Sequence, residues 1–102
     1  MLDFQLSVQP QTERRLKRIL SQVQNTEAFA LNIIAYQVSE LQKGILNLRL
    51  ELDDFERKYN MTSDEFYKGF SDGLLEDEAN FMIWAGLYEM LCQNQIQLSE
   101  LR

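Results

Sequence analysis

The sequence of 102 residues has no histidine, one cysteine and one proline. Without histidine the chain cannot build a Ser-His-Asp or Cys-His nucleophilic site, and it has no imidazole ligand for a metal. One cysteine cannot form a thiolate zinc site. These absences exclude much of enzyme chemistry, so we expect a protein that is not an enzyme and that carries no cofactor.

Long apolar runs and secretion signals are also missing. No stretch approaches the roughly 18 apolar residues that span a bilayer, and the N-terminal MLDFQLSVQPQ has no basic segment followed by an apolar one. Cys92 has no second cysteine for an intramolecular disulfide, which is typical of a reducing compartment. The sequence therefore predicts a cytoplasmic protein that does not contact the membrane.

The first residues alternate between apolar and polar side chains. Leu2, Phe4, Leu6 and Val8 have the same parity, which predicts a short β-strand with one apolar face that Pro10 ends. A first helix should follow, with Thr12 as a candidate N-cap, apolar residues at helical spacing and basic residues between them. The apolar residues are Leu16, Ile19, Leu20 and Val23, and the basic ones are Arg14, Arg15, Lys17 and Arg18.

A long second helix is predicted from about Thr26, its candidate N-cap, to about Tyr59. Its apolar residues recur in steps of three and four, as the a and d positions of a coiled coil do. They are Leu31, Ile34, Val38, Leu41, Ile45, Leu48, Leu52, Phe55 and Tyr59. A helix of roughly 50 Å needs a partner, in this chain or in another. Gly44 weakens its middle, so the sequence leaves open whether the helix bends or breaks there.

Two further helices follow in the sequence. Thr62 and Glu65 match a capping box at the start of a short helix, and Gly73 suits a left-handed cap at its end. The last helix carries an apolar stripe of Phe81, Trp84, Tyr88, Leu91 and Leu98, which we expect Met82, Leu87, Met90 and Ile96 to widen. The predicted fold is mainly α: a short N-terminal strand and a first helix, followed by a long helix and two further C-terminal helices.

The predicted strand needs a second strand for its backbone hydrogen bonds, and none is predicted downstream. A second copy of the chain would have to supply it. The relevant residues are Phe4-Gln5-Leu6-Ser7-Val8-Gln9-Pro10-Gln11-Thr12-Glu13, then Leu16, Ile19, Thr26 and Phe29. Over about the first 45 residues this pattern resembles the ribbon-helix-helix family. The resemblance implies a homodimer whose paired strands enter the major groove of operator DNA.

The resemblance also implies which residues contact DNA. Two polar strand residues would face the bases, arginines of the first helix would add phosphate contacts, and the start of the second helix would clamp a phosphate. These candidates are Gln5, Ser7, Arg14, Arg15, Arg18, Asn25 and Thr26. In the alternative interpretation, the strand serves only dimerisation and the basic cluster is only a solvated helix face.

The net charge of −6 is unevenly distributed along the chain. Residues 1–45 hold five basic and four acidic residues, whereas residues 46–102 hold five basic and twelve acidic ones. We therefore expect two regions: a ribbon-helix-helix-like region for dimerisation and DNA binding over 1–45, and an acidic, helical, partner-binding region over 46–102.

The acidic region contains more large aromatic side chains than its two shorter helices can bury against each other. These candidates are Phe66, Tyr67, Phe70, Phe81, Trp84 and Tyr88. They either pack on the long helix as core or anchor a basic partner. The wider pattern runs from Lys58 to Tyr67 and continues through Phe70, Gly73, Asp77, Phe81, Trp84 and Tyr88. It resembles the C-terminal part of small prokaryotic proteins that pair with toxins.

Together the two resemblances imply a type II antitoxin that represses its own operon. It would neutralise a small basic toxin, often a ribonuclease that is cationic because it binds RNA, by covering it. The alternative is a dimeric helical or coiled-coil scaffold or adaptor without DNA binding. Neighbouring acids such as Asp53 and Asp54 have no complementing groups, so we expect neither a magnesium site nor a pair of catalytic acids.

Overall fold

The computed structural model describes residues 7–76 and 78–102. These residues form four helices, α1 Pro10–Gln22, α2 Thr26–Tyr59, α3 Ser63–Ser71 and α4 Ala79–Leu101. The chain divides into two compact units, residues 1–36 and residues 37–102, and the division falls within α2. The prediction of a mainly helical chain is confirmed.

The prediction of an N-terminal strand is wrong for the residues that the structure describes, because residues 7–76 and 78–102 contain no strand. Leu2 to Leu6 lie outside the described residues. Ser7 to Gln9 belong to no regular element, and Gln9 already serves as the N-cap of α1. The physical reason is that a strand needs a paired neighbour, and no described segment is available to pair with it. The ribbon-helix-helix arrangement is therefore not observed.

The first unit begins with α1, and its start differs from the sequence expectation. Pro10 rather than Thr12 marks the N-terminus: it occupies the first turn, and the amide of Glu13 donates to the carbonyl of Gln9 at 2.9 Å. Proline suits this position because its missing N–H would be unpaired in any case. Among described residues 7–36, no side chain is buried.

The start of α2 also differs by one residue from the expectation. Asn25, not Thr26, is the cap: the amide of Ala28 donates to Oδ1 of Asn25 at 3.0 Å, and the amide of Phe29 donates to its carbonyl at 3.1 Å. From there α2 is continuous to Tyr59, so Gly44 neither breaks nor ends it.

The second unit contains the core. Its buried cluster joins Leu48 and Leu52 of α2, Phe66 of α3, and Trp84, Ala85 and Leu91 of α4. Leu41 of α2 is buried as well. The heptad positions of α2 between residues 41 and 52 are therefore covered by this chain itself. For this segment the partner of the long helix lies in the same chain.

Two turns of the second unit direct α3 onto this core. Asn60 adopts a left-handed φ of 54°, and the amide of Ser63 donates to Oε2 of Glu56 at 2.7 Å. One half of the predicted capping box is confirmed, since the hydroxyl of Thr62 accepts from the amide of Glu65 at 3.2 Å. At the other end, Gly73 has a φ of 75° and the amide of Leu74 donates to the carbonyl of Gly69, which confirms the predicted left-handed cap.

Candidate functional site

The aromatic side chains that were candidates for partner binding lie at the centre and the edge of the core. Trp84 and Phe66 are 0% and 1% exposed, and their rings stack at 3.8 Å between centroids with 3° between planes. For these two residues the alternative of core packing is confirmed. Phe70, Phe81 and Tyr88 pack around them and are half-buried. In this arrangement Phe66 and Trp84 offer no ring surface to a partner.

The indole of Trp84 has a specific buried partner that the sequence pattern did not indicate. Its Nε1–H donates to Oγ of Ser63 at 2.9 Å, and Ser63 is itself buried. A buried N–H without an acceptor would cost free energy, so Ser63 accounts for why an indole is tolerated at this position. From the sequence, Ser63 is recognisable only as a residue next to the N-cap of α3, and its role as an acceptor for Trp84 is not predictable.

Two tyrosine–carboxylate hydrogen bonds connect α3 with α4. The hydroxyl of Tyr88 donates to Asp64 at 2.7 Å, and the hydroxyl of Tyr67 donates to Glu89 at 2.8 Å. The bond to Asp64, with a smaller contribution from burial, raises the pKa of Tyr88 well above that of an ordinary tyrosine. The bond to Glu89 likewise raises the pKa of Tyr67. Both tyrosines therefore act as neutral donors, and these two carboxylates have structural roles.

A groove of about 460 Å³ lies in the second unit, where α2 and the start of α3 meet α4. Asp53, Glu56, Asp64 and Arg49 provide its charged lining. Two of the three carboxylates are already hydrogen-bonded, Glu56 to the amide of Ser63 and Asp64 to Tyr88. No group of three cysteine or carboxylate side chains in the described residues is placed to hold a metal. These hydrogen bonds give Glu56 and Asp64 roles in holding α3 in place.

The outward side of α4 also differs from the sequence expectation. Met82, Ile83 and Met90 are 61%, 54% and 52% exposed, and Ile96 is exposed too. Of the four residues expected to widen the core stripe, Leu87 alone packs against the core. The reason is angular: Met82 is two residues from Trp84, a rotation of about 200° around a helix of 3.6 residues per turn. This spacing could have indicated the outward orientation.

The residues predicted to contact DNA are separated by their positions in the first unit. Arg14, Arg15 and Arg18 are exposed on α1, and Arg14 and Arg15 lie four and three residues before Arg18, so all three adjoin on one side of the helix. Ser7 is exposed before α1, and Gln5 lies outside the described residues. Asn25 and Thr26 are exposed at the start of α2, where Asn25 already uses its side chain to cap the helix. The amide of Ala28 is thereby unavailable to a phosphate.

No helix within residues 7–76 and 78–102 is both long and apolar enough to cross a membrane. Comparisons with protein-family models, with curated proteins and with solved structures found no match to this chain.

Proposed function

We propose that the protein acts by binding, as an antitoxin that neutralises a small basic protein. The observation that carries this proposal is the charge of the second unit: residues 37–102 hold thirteen acidic and six basic residues, against three and four in residues 1–36. Such an excess costs self-repulsion within a fold, but it accelerates encounter with a cationic partner.

Ion pairs within the second unit neutralise little of this charge. In its described part the ion pairs are Lys43 with Glu40 and Arg57 with Asp54, each between neighbours on one helix and each exposed. Exposed pairs of this kind contribute little to stability, and most of the other carboxylates face solvent without a basic partner. The unit therefore presents an acidic surface on a packed core.

In this mechanism the chain performs no reaction. The acidic unit covers the surface with which its partner binds RNA or substrate, and one chain neutralises one partner by occlusion. Ribonucleases fit this role because RNA binding requires a cationic surface. Such an antitoxin acts in the cytoplasm, which is also the location that the single cysteine favours.

The test is co-expression with the product of each flanking open reading frame. We expect one of these products to arrest growth alone, to be neutralised by the full chain, and to co-purify with it in a complex that weakens as salt increases. If neither product arrests growth or binds the chain, the antitoxin proposal is wrong. Deletion of α3 and α4 would not be a clean test, because it uncovers Leu48 and Leu52 of the core.

The scaffold alternative has weaker support. A coiled-coil scaffold needs an open heptad seam on α2, yet Leu41, Leu48 and Leu52 are buried within the chain. In the first unit, apolar side chains including Ile19, Leu20 and Leu31 are exposed. The homodimer predicted from sequence would cover such side chains, and sedimentation of the full chain tests it.

Operator binding is a separate part of the proposal, without the ribbon. It is supported by one observation, the three exposed arginines of α1, of which none forms an ion pair within the described residues. We expect the full chain to retard its upstream DNA at low salt and the variant Arg14→Ala/Arg15→Ala/Arg18→Ala to lose this binding. The exposed Arg49→Ala is the control. Equal retardation by the triple variant would remove this part of the proposal.

A further inference from the structure

The outward side of α4 has an apolar centre that nothing in the described part of the second unit covers. We define the α4 outer face as Met82, Ile83, Gly86 and Met90. Met82 and Met90 lie four residues from Gly86 and Ile83 lies three from it, so the four residues adjoin on one side of the helix. The core residues Trp84 and Leu91 occupy the opposite side. Contiguous exposed apolar side chains of this kind mark binding surfaces.

Gly86 lies at the centre of this face. A Cβ placed on it would meet nothing within 4 Å, so no packing within the described chain requires a glycine here. Glycine weakens the interior of a helix, and at this position no side chain stands between the two methionines. Methionine side chains adapt to the shape of a partner, which suits a protein-binding surface.

A row of three widely spaced carboxylates passes one edge of the α4 outer face. Glu89 lies at that edge, within two helical turns of Met82. Glu78 precedes α4 as its N-cap and Glu100 lies near the end of the helix, each about three turns from Glu89. All three are exposed, and none forms an ion pair within the described residues. Glu89 also accepts the hydrogen bond from Tyr67, which leaves its negative charge unneutralised. An apolar centre with a charged rim is the usual anatomy of a protein interface, and a negatively charged rim favours a cationic partner. It would repel nucleic acid and anionic lipid.

We infer that the α4 outer face is the surface on which the basic partner docks. The partner places an apolar ridge over Gly86, between Met82 and Met90, and lysine or arginine side chains along the row of carboxylates. This inference rests on the proposed antitoxin function and specifies which surface serves it. The anchors are therefore outward aliphatic side chains and not the buried rings of Phe66 and Trp84.

The test measures binding of the full chain to the flanking-gene product that it neutralises. Gly86→Arg places a long cationic side chain in the centre of the face, where the structure has open space. We expect it to weaken binding by about tenfold or more. Leu46→Arg is the matched control: it makes the same kind of change at an exposed apolar position of α2 in the same unit, and we expect less than about a threefold effect. Circular dichroism and Trp84 fluorescence verify the fold of both variants.

A second variant covers the case in which Gly86→Arg does not fold. Met82→Gln/Met90→Gln keeps side-chain length and removes apolar character, and we expect a similar loss of binding. Methyl NMR provides an independent readout: the Met82 and Met90 signals should shift in the complex, while that of Met61, which packs against the core, should not.

The outcomes separate the two proposals. Failure of the wild-type chain to bind either flanking-gene product overturns the antitoxin function and this inference together. Binding that neither set of α4 variants weakens overturns the inference alone. Concentration-dependent shifts of the Met82 and Met90 methyls without any partner would show that a second copy covers the face, which also overturns it.

Discussion

At the scale of single residues, the contact between Trp84 and Ser63 determines how the core is built. An indole brings a large apolar area and one N–H donor into the interior, and the donor must find an acceptor there. Ser63 provides it from the first turn of α3, 21 residues earlier in the chain. This hydrogen bond cannot be predicted from the sequence, because it depends on how α3 and α4 pack.

We predict that Ser63→Ala lowers the free energy of unfolding by about 1–3 kcal/mol, because the Nε1–H of Trp84 stays buried without an acceptor. Phenylalanine at position 84 has no N–H donor, so in the Trp84→Phe background Ser63→Ala should lower the free energy of unfolding by less. Urea denaturation of the four proteins of this double-mutant cycle measures the difference. Ser39→Ala, at an exposed position of α2, is the control. Equal effects of Ser63→Ala in both backgrounds would contradict the prediction.

The hydrogen bond from Tyr88 to Asp64 makes stability depend on alkaline pH. The pKa of Tyr88 is raised above its ordinary value of 10.0, first by this bond and second by burial. The folded chain therefore holds the phenolic proton more tightly than the unfolded chain does. This contribution is complete below pH 10 and is lost as the pH rises through the folded-state pKa.

We therefore predict that the wild-type chain loses more stability than Tyr88→Phe between pH 8 and about pH 11, because the variant has no proton to lose there. Chemical denaturation at a series of pH values measures the two slopes. The exposed Tyr36→Phe is the control and should follow the wild type. Parallel curves for wild type and Tyr88→Phe would show that this bond does not stabilise the fold.

At the scale of the helices, the two glycines of α2 and α4 have different reasons to be there. Gly44 lies where α4 approaches closely: a Cβ on it would be 3.2 Å from Nδ2 of Asn94. Gly86 faces open space. The sequence marked Gly44 as a weak point of a long helix, but α2 is continuous because the packing of its apolar residues outweighs one unfavourable residue.

We predict that Gly86→Ala raises the free energy of unfolding by about 0.5–1 kcal/mol, since alanine favours a helix interior and nothing obstructs its methyl group. Gly44→Ala should gain less, because the side chain of Asn94 must move. Adding Asn94→Ala to Gly44→Ala removes this obstacle, so alanine at position 44 should then give the same gain as Gly86→Ala. Thermal unfolding followed by circular dichroism measures all three variants, and an equal gain at both glycines would contradict the close approach at Gly44.

At the scale of the whole molecule, burial and charge divide the chain in the same place. All buried side chains of the described residues lie between Leu41 and Leu91, in the second unit. The acidic excess lies in the same unit, whereas residues 1–36 have nearly balanced charge. The second unit has what a domain needs to fold, and the first has helices without a core of their own.

We predict that the fragment 37–102 folds on its own, with cooperative unfolding and the blue-shifted emission of a buried Trp84. A peptide of residues 1–36 should show little helix in water, because short helices are marginal without tertiary packing. Circular dichroism and fluorescence measure both. Loss of cooperative unfolding in 37–102, or a stably helical monomeric peptide 1–36, would show that the core does not account for the stability of the chain.

The sequence alone determined those features that depend on local chemistry. The cap at Thr62 and the left-handed turn at Gly73 follow from short-range backbone requirements, and the helical content follows from apolar periodicity. The charge difference between the two halves is a direct count. The exclusion of histidine-dependent chemistry likewise needs no structure.

Tertiary structure decided the rest, because periodicity assigns residues to faces but does not say what covers each face. The alternation that predicted a strand had no partner within the described chain, and Gln9 instead leads into α1. The seam of α2 is covered by α3 and α4 around Leu48 and Leu52. In α4, apolar residues surround much of the helix, so only packing could show that Trp84 is inside and that Met82 and Met90 are outside.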